Sequence, residues 1–343
     1  MKLKLWLNIV TFAAIAVVVI FARHDIVLAL QKMQQLNLWI LALMVPAQAF
    51  AFFAVARVYF HFFKATGTPL PMKALLPAAI ELNFVNHIFP SGGVSGFSYL
   101  TVRLRHNNIS TAKATLAQIV RFIFAFVTFI ALLLLALVLL ALEDRVNRFI
   151  ILIAAALTFT IIFATLTVIY VIGTEYRIQD FTRGMSRFLN RLIQLVRPGQ
   201  PETINLAAVA QTFTELHSDY VLLRRELHKM WPSVLWALIA NVAEVAVIYI
   251  AFVAHGAWIN PGALIIAYAI ATIAGLLAIL PGGLGVYEPL MATLLLSAGV
   301  PANVALSATL VSRVVTLVLA LGSGYVLYQR ALRRYGDVGP HRQ

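Results

Sequence analysis

The stretch that decides the fold reads LPGGLGVYE at residues 280–288, and it interrupts an apolar segment that runs from 263 to 300. Proline removes a backbone donor and glycine relaxes the backbone, so a continuous helix is not expected here. A second break, FPSGG at residues 89–93, interrupts the apolar segment 74–100. In a bilayer, non-helical backbone is tolerated only where it is buried in protein or faces a watery cavity. Each break therefore predicts two short helical arms, either a re-entrant hairpin or two complete spans joined by a tight turn.

The composition around these breaks is that of a multi-pass membrane protein. Of the 343 residues, 62% are hydrophobic and 11% are charged, whereas soluble domains have about 25% charged residues. This shortfall excludes a cytosolic enzyme and a disordered chain, and the absence of cysteine excludes a disulfide scaffold. A helix needs about 20 apolar residues to cross a bilayer. Runs of suitable length lie at 5–22, 36–56, 122–142, 149–172, 231–254 and 302–328. Because no small-x-small cleavage site follows the first run, it is read as an uncleaved span.

The distribution of basic residues predicts the orientation. If the N-terminus is inside and both broken segments are re-entrant, twenty of the 26 lysines and arginines face one side and four face the other. Cytoplasmic loops carry such an excess, which also explains the formal net charge of +13. We therefore expect a multi-pass membrane protein with cytoplasmic N- and C-termini.

The same accounting predicts an internal duplication. Each break stands between full spans, but the ends of the first hairpin lie inside and those of the second lie outside. The helices that follow begin near residues 110 and 301 and carry Arg121 and Arg313. The predicted fold class is therefore all-α, a polytopic membrane protein with about six full spans plus two broken re-entrant helical hairpins in an inverted repeat. In transporters of this architecture, interrupted segments at matching positions mark a binding site near the midplane.

The predicted domain organisation is a membrane domain over residues 1–328 and a basic cytoplasmic tail over 329–343. A cytoplasmic amphipathic helical hairpin at 174–230 is inserted between the halves, because apolar residues recur there at helical spacing beside charged faces. We interpret this insertion as a packed connection between the halves; the alternative is a regulatory or partner-binding module.

Polar and ionisable residues inside the apolar segments are the candidate site, because each charge costs roughly 2.5–3.5 kcal/mol to insert. The set is Glu81, Asn86, His87, Arg121, Glu244, Glu288 and Arg313. Two interpretations stay open for the charged members: ion pairs that hold the bundle together, or a hydrophilic cavity that receives a charged head group. In a cavity, arginine would bind phosphate bidentately, and backbone N–H groups at the breaks would also favour an anion. For Arg121 a further alternative is that it snorkels at the inner interface.

Together the motifs resemble the membrane-embedded flippase-like domain of lysylphosphatidylglycerol synthetases, which also occurs as a stand-alone protein in bacteria and archaea. The resemblance extends from about residue 5 to 328 and rests on FPSGG followed by Arg103 and Arg121, and on LPGGLGVYE followed by GVP at 299–301 and Arg313. It implies movement of a polar or charged lipid between leaflets. The residues that it marks for substrate binding are Pro90, Gly92, Gly93, Arg103, Arg121, Pro281, Gly282, Gly283, Gly285, Glu288 and Arg313.

The full-length synthetases add a soluble C-terminal domain that transfers lysine from lysyl-tRNA to phosphatidylglycerol. Fifteen residues follow Tyr328 in this sequence, so we expect the stand-alone form without that activity. Relatives in other lineages are thought to handle polyprenyl or hopanoid-type lipids, which leaves the identity of the lipid open.

The leading functional hypothesis is a non-enzymatic lipid transporter of the flippase-like kind. Its alternatives are a membrane-embedded lipid-modifying transferase with Glu288 or Glu81 as general base, a transporter of a small ion, and a non-transporting partner of a lipid-synthesis enzyme. No Walker A run occurs, so we expect facilitated exchange, or coupling to protons or potential through Glu81, Glu288 or His87. No cofactor or metal is expected. The expected partner is a membrane lipid, either a phospholipid or another polar lipid; a lipid-synthesis enzyme and a second copy of the chain are further candidates, and nucleic acid is not.

Overall fold

The computed structural model describes residues 2–33, 36–88, 94–142, 148–174, 176–177, 218–221, 223–277 and 283–335. Over these residues the chain is helical and contains no strand. Its α-helices are α1 Lys2–Met33, α2 Leu38–Ala42, α3 Met44–Ala65, α4 Met72–Ile88, α5 Val94–Arg105, α6 Thr111–Ala141, α7 Arg148–Ile172, α8 Trp231–Ala254, α9 Pro261–Leu277, α10 Tyr287–Ser297 and α11 Ala302–Tyr335. A short 3₁₀ helix, Leu227–Met230, precedes α8.

Several of these helices are long enough to cross a membrane. Among the described residues, four stretches combine the necessary length and apolar composition: Leu38–Ala65, Thr111–Ala141, Leu227–Ala254 and Ala302–Ala331. Helices α1 and α7 contain 32 and 25 residues, which rise about 48 and 38 Å, more than the roughly 30 Å of a hydrocarbon core. The chain is an all-α polytopic membrane protein, as its sequence predicts.

Helix boundaries extend beyond the uncharged runs. Helix α1 continues through residues 23–25, where the first run ends, and stops at Met33. Helix α6 begins at Thr111, and the Ser110 hydroxyl caps it by accepting a hydrogen bond from the Lys113 backbone N–H at 3.1 Å. The predicted helix starts near residues 110 and 301 are confirmed. An uncharged run therefore marks only part of each helix, because backbone hydrogen bonding continues past isolated charges.

Helix lengths recur along the chain. Helices α3 to α6 contain 22, 17, 12 and 31 residues, and α8 to α11 contain 24, 17, 11 and 34. The packing between the two units is reciprocal. Helix α3 packs against its counterpart α8, α4 packs against α11, and α9 packs against α6. If the two units are exchanged, the contact of α4 with α11 becomes the contact of α9 with α6, and the contact of α3 with α8 maps onto itself. A pseudo-twofold relationship requires this.

The break regions separate the two short helices of each unit. Pro90, Gly92, Gly93, Pro281 and Gly282 lie outside the described residues. The short helices that follow the breaks, α5 and α10, rise only about 18 and 17 Å, well short of a bilayer.

The described end of the second break has left-handed backbone. Gly283 and Gly285 have φ of 74° and 78°, a region that glycine enters without steric cost. Gly283 also approaches Gly275 closely: a Cβ added at Gly283 would lie 2.5 Å from the Gly275 Cα. Glycine therefore permits both the turn and the close packing of this segment on α9.

Most of the predicted cytoplasmic hairpin and the end of the predicted tail lie outside the described residues. Where the inserted segment is described, Lys113 of α6 lies 4.0 Å from the Asp219 carboxylate. Helix α11 continues to Tyr335, which makes the first residues of the predicted tail helical.

Exposed tryptophans mark the two ends of the bundle. Trp39 and Trp258 are 88% and 78% exposed, and they lie near one end, where the Asn37 backbone N–H donates to the Ala254 carbonyl. Trp231, 68% exposed, begins α8 at the other end. Tryptophan is enriched where membrane meets water, so these side chains fit two interfacial belts.

Candidate functional site

An ion pair joins the helix after the second break to the long helix that follows. The Nε of Arg313 on α11 donates to one carboxylate oxygen of Glu288 at 3.1 Å. The other oxygen of Glu288 accepts the Gly285 backbone N–H at 2.8 Å. The guanidinium also lies over the Tyr287 ring, 4.6 Å from its centroid. Glu288 is in the first turn of α10, where an acidic side chain complements the helix dipole.

Two further elements reach this pair. Arg313 is close enough to interact electrostatically with His87, near the end of α4, and with Asp25 of α1. The Glu288 carboxylate also acts on Asp25, and the Nδ1 of His87 lies 2.9 Å from the Asn83 carbonyl oxygen. The first unit thus brings an arm of its broken segment to the charged pair of the second unit.

Sequence reasoning did not single out Asp25. Residues 23–25 looked like the end of the first span, but α1 continues through them. A signal was available in the spacing of small apolar residues, because Val18, Ala22 and Ala29 are buried and share a helical face with Asp25.

A second polar cluster surrounds Arg121. The Arg121 guanidinium lies 6.0 Å from the ring centroid of the buried Tyr59 of α3 and interacts electrostatically with Glu244 of α8. Glu244 in turn lies beside the buried Gln48. The Tyr59 hydroxyl donates to the side-chain oxygen of Gln118. Arg121 therefore faces the seam between α3, α6 and α8, which argues against the alternative that it snorkels at the inner interface.

One tyrosine lies between the two clusters. Tyr268 of α9 interacts electrostatically with both Glu244 and Arg313. Arg121 and Arg313 stand ten and eleven residues after the starts of α6 and α11, or about 15 and 17 Å along each helix axis. We call the set Arg121, Glu244, Tyr268, Glu288 and Arg313 the polar band.

The buried tyrosines of this region were not predicted from the sequence. Tyr59, Tyr268 and Tyr287 stand in apolar runs, where an aromatic residue is more often a core side chain. Only the three-dimensional packing shows that Tyr59 and Tyr287 lie against arginine side chains and that Tyr268 lies between the two clusters.

Glu81 and Arg103 form a separate ion pair within the first broken segment. The Nε of Arg103 lies 2.7 Å from the Glu81 carboxylate, which also accepts the Tyr99 hydroxyl at 2.8 Å. Glu81 is 2% exposed and Arg103 is 8% exposed. Because Glu81 is on α4 and Arg103 on α5, the pair clasps the two arms of one hairpin. This geometry favours the structural interpretation for these two residues.

Asn86 packs inside the same hairpin. Its side-chain oxygen is buried and has no hydrogen-bond partner among the described residues. A Cβ added at Gly96 of α5 would lie 2.6 Å from that oxygen. The structure thus places Asn86 against α5, and the small residue at Gly96 makes this approach possible.

The chemistry available at the polar band is exchange of one anion for another. Arginine binds carboxylate and phosphate oxygens through the same planar donors. One backbone N–H near the second break, that of Gly285, is donated to Glu288. Within the described part of the chain, no group of three His, Asp or Glu side chains could hold a metal ion.

The comparisons with known proteins agree with this architecture. The family model described as "Lysylphosphatidylglycerol synthase TM region" matches residues 5–324, which include both breaks and every candidate residue. Among curated proteins, none matches the chain. Since the match covers nearly the whole chain, this membrane protein belongs to the family of the lysylphosphatidylglycerol synthase TM region, whose members act on lipids.

Proposed function

We propose that the protein moves a polar or charged lipid between the leaflets of the bacterial cytoplasmic membrane. The head group passes along the polar band while the acyl tails stay in the lipid. A head group taken through hydrocarbon loses its hydrogen bonds to water, and this loss is the main barrier to spontaneous exchange. The observation that carries the proposal is the Arg313–Glu288 pair, which lies where α1, α4, α10 and α11 come together.

The repeated architecture supports this function. The two four-helix units are joined through α7, which provides one crossing between them. If each unit crosses the membrane an even number of times, the second unit begins on the opposite face from the first. The short arms around both breaks favour re-entrant hairpins that enter from opposite sides. Interrupted helices at matching positions of inverted units mark the binding site in many secondary transporters.

The electrostatics of the polar band support an anionic group as the part of the lipid that is recognised. Glu288 pairs with Arg313, and a lipid phosphate would replace the carboxylate on the guanidinium. Breaking a buried ion pair leaves an uncompensated charge, which is strongly unfavourable. An exchange of anions avoids this penalty, so the empty and the loaded protein both keep Arg313 paired. Glu288, once released, is available to an amine on the same head group.

The test is a leaflet-exposure assay in proteoliposomes that contain a head-group-labelled phospholipid. Arg313→Gln removes the charge with little change in shape, and Arg333→Gln, at an exposed position near the end of α11, is the matched control. We expect Arg313→Gln to slow exchange by about tenfold or more, the equivalent of one charged hydrogen bond, and the control to match wild type.

Exchange at the wild-type rate in Arg313→Gln would show that this arginine has no role in transport. Mass spectrometry of the lipids after incubation distinguishes lipid transport from its main alternative, covalent modification of the lipid. A new covalent head group would favour the lipid-modifying transferase, whereas unchanged lipids with altered leaflet distribution favour translocation.

A further inference from the structure

Arg57 lies outside the polar band, on the face of α3 opposite Tyr59. Its guanidinium carbon lies 4.9 Å from the centroid of the Phe60 ring and 5.1 Å from that of Trp236 on α8. Phe53 completes the aromatic wall with an edge contact to Trp236 at 5.7 Å. The Nε of Arg57 is buried and has no hydrogen-bond partner among the described residues. A desolvated guanidinium between two rings, with a free donor, is poised to bind an anion.

Two more basic side chains continue this face of α3. His61 is one turn beyond Arg57, and Lys64 is one turn further, so the three share a helical face. The His61 ring makes an edge contact with Phe60 at 5.3 Å, and its Nε2 is buried without a partner among the described residues. Arg57 and Lys64 both act electrostatically on His61, while no acidic side chain in the described part of the chain acts on it. The cluster thus combines the positive charges of Arg57 and Lys64 with two buried nitrogens, Nε of Arg57 and Nε2 of His61, that have no hydrogen-bond partner among the described residues.

The position of the cluster places it at the protein–lipid boundary near the cytoplasmic end. Arg57 and His61 are eight and four residues from the end of α3 at Ala65, or about 12 and 6 Å along its axis. Arg57 also lies over the ring of Trp236, five residues after the start of α8, so the cluster is near the end of the bundle where α3 ends and α8 begins. The neighbouring apolar side chains Trp231, Leu235 and Phe50 are exposed, as expected where lipid covers the surface.

We propose that Arg57, His61 and Lys64, with Phe60 and Trp236 as walls, bind the phosphate of an anionic phospholipid from the inner leaflet. The occupant is a lipid because the cluster opens beside exposed apolar side chains at head-group depth, where acyl chains can pack on α3 and α8. Basic pockets between helices on the cytoplasmic side bind anionic lipid head groups. The site does not depend on the proposed translocation, and its occupation is measured without transport.

The test is native mass spectrometry of the full chain in detergent, titrated with phosphatidylglycerol, phosphatidylcholine or inorganic phosphate. We expect wild type to retain phosphatidylglycerol in preference to phosphatidylcholine, and Arg57→Gln to weaken that retention by about tenfold. Arg57→Lys keeps the charge and is expected to keep part of the affinity. The matched control is Arg225→Gln, at an exposed arginine in the segment before α8.

Three results would overturn the proposal. They are wild-type retention in Arg57→Gln, an equal loss in Arg225→Gln, and equal retention of the two lipids. Displacement of the lipid by inorganic phosphate at the same concentration would assign the site to free phosphate instead. If Arg57→Gln does not stay monodisperse, the double variant His61→Gln with Lys64→Gln tests the site instead. We expect it to lose the preference for phosphatidylglycerol. Full retention of phosphatidylglycerol in the double variant would contradict the site.

Discussion

The Nε of Arg313 donates to the Glu288 carboxylate at 3.1 Å, so Glu288 occupies the place that the arginine would otherwise offer to a phosphate. The same arrangement recurs in a looser form at Arg121, where Glu244 supplies the neighbouring negative charge. An arginine with its own carboxylate is neutral at rest, which limits the penalty of holding a charge inside the membrane. In the proposed function, the carboxylate is the competitor that a lipid anion displaces.

This competition predicts opposite effects on binding for the two partners. Glu288→Gln keeps the shape of the side chain but removes the carboxylate charge that competes with a phosphate for Arg313, so we expect tighter lipid retention and slower exchange. Arg313→Gln removes the anion-binding group, so we expect weaker retention and slower exchange. Retention is measured by native mass spectrometry and exchange by the leaflet-exposure assay, each with a change of about tenfold expected.

Glu226→Gln is a suitable control for these variants. The Lys229 ammonium beside Glu226 holds the pKa of that carboxyl below its usual range by hydrogen bonding, so Glu226 is charged at neutral pH. It lies just before α8 and away from the polar band, and the substitution should leave retention and exchange unchanged. Equal weakening of retention in Glu288→Gln and Arg313→Gln would argue that the pair is purely structural.

The positions of the breaks and the order of the helices were predictable because they depend on local chemistry. Proline and glycine end helices wherever they cluster, and apolar runs report membrane-spanning length directly. The pairing of Glu288 with Arg313 was not predictable, because it depends on how α11 packs on α10. Sequence alone left these charges open between a cavity and an ion pair, and the structure shows that an ion pair forms at the same place as the candidate cavity.

Asp25 and Arg57 show a second limit of sequence reasoning. A charge at the end of an apolar run looks like the end of a span, and a basic residue in the cytoplasmic half looks like an orientation signal. Both assignments leave out the direction in which the side chain points. That direction is set by the register of each helix, which only packing against neighbouring helices determines.

The clasp between Glu81 and Arg103 predicts a large effect on stability. Both side chains are buried, so Glu81→Gln or Arg103→Gln alone leaves one charge without its partner and should destabilise the protein by about 3–5 kcal/mol. The double variant Glu81→Gln with Arg103→Gln removes both charges and should recover part of that loss. Unfolding in detergent, followed by tryptophan fluorescence, measures the coupling. Additive losses in the double variant would show that the two charges do not stabilise each other.

Gly283 and Gly256 provide a matched comparison of backbone strain and close packing. Both have left-handed backbone, with φ of 74° and 73°. A Cβ at Gly256 meets nothing within 4 Å, whereas one at Gly283 meets the Gly275 backbone at 2.5 Å. We expect Gly256→Ala to cost about 1–2 kcal/mol from strain alone, and Gly283→Ala to cost a further 1–3 kcal/mol or so from overpacking.

The same unfolding measurement compares these two alanine variants. Equal losses would mean that the close approach of the second break to α9 does not contribute to stability. The larger expected loss at Gly283 would instead show that the packing of the break on α9 is part of what holds the second hairpin together.

The inverted arrangement that we propose for the two units predicts opposite accessibility at equivalent positions. Ser110 precedes α6 and Asn303 lies in the first turn of α11, and both side chains are exposed. The chain contains no cysteine, so Ser110→Cys and Asn303→Cys each introduce a single reactive thiol. In oriented membrane vesicles, a membrane-impermeant maleimide should label Cys at 110 only from the cytoplasmic face and Cys at 303 only from the opposite face.

Labelling of both positions from one face would mean that the units are parallel, and two hairpins could not then enter the membrane from opposite sides. Because the loss of the Ser110 cap weakens the start of α6, Thr111→Cys, one residue further and outside the cap, repeats the measurement with the cap intact.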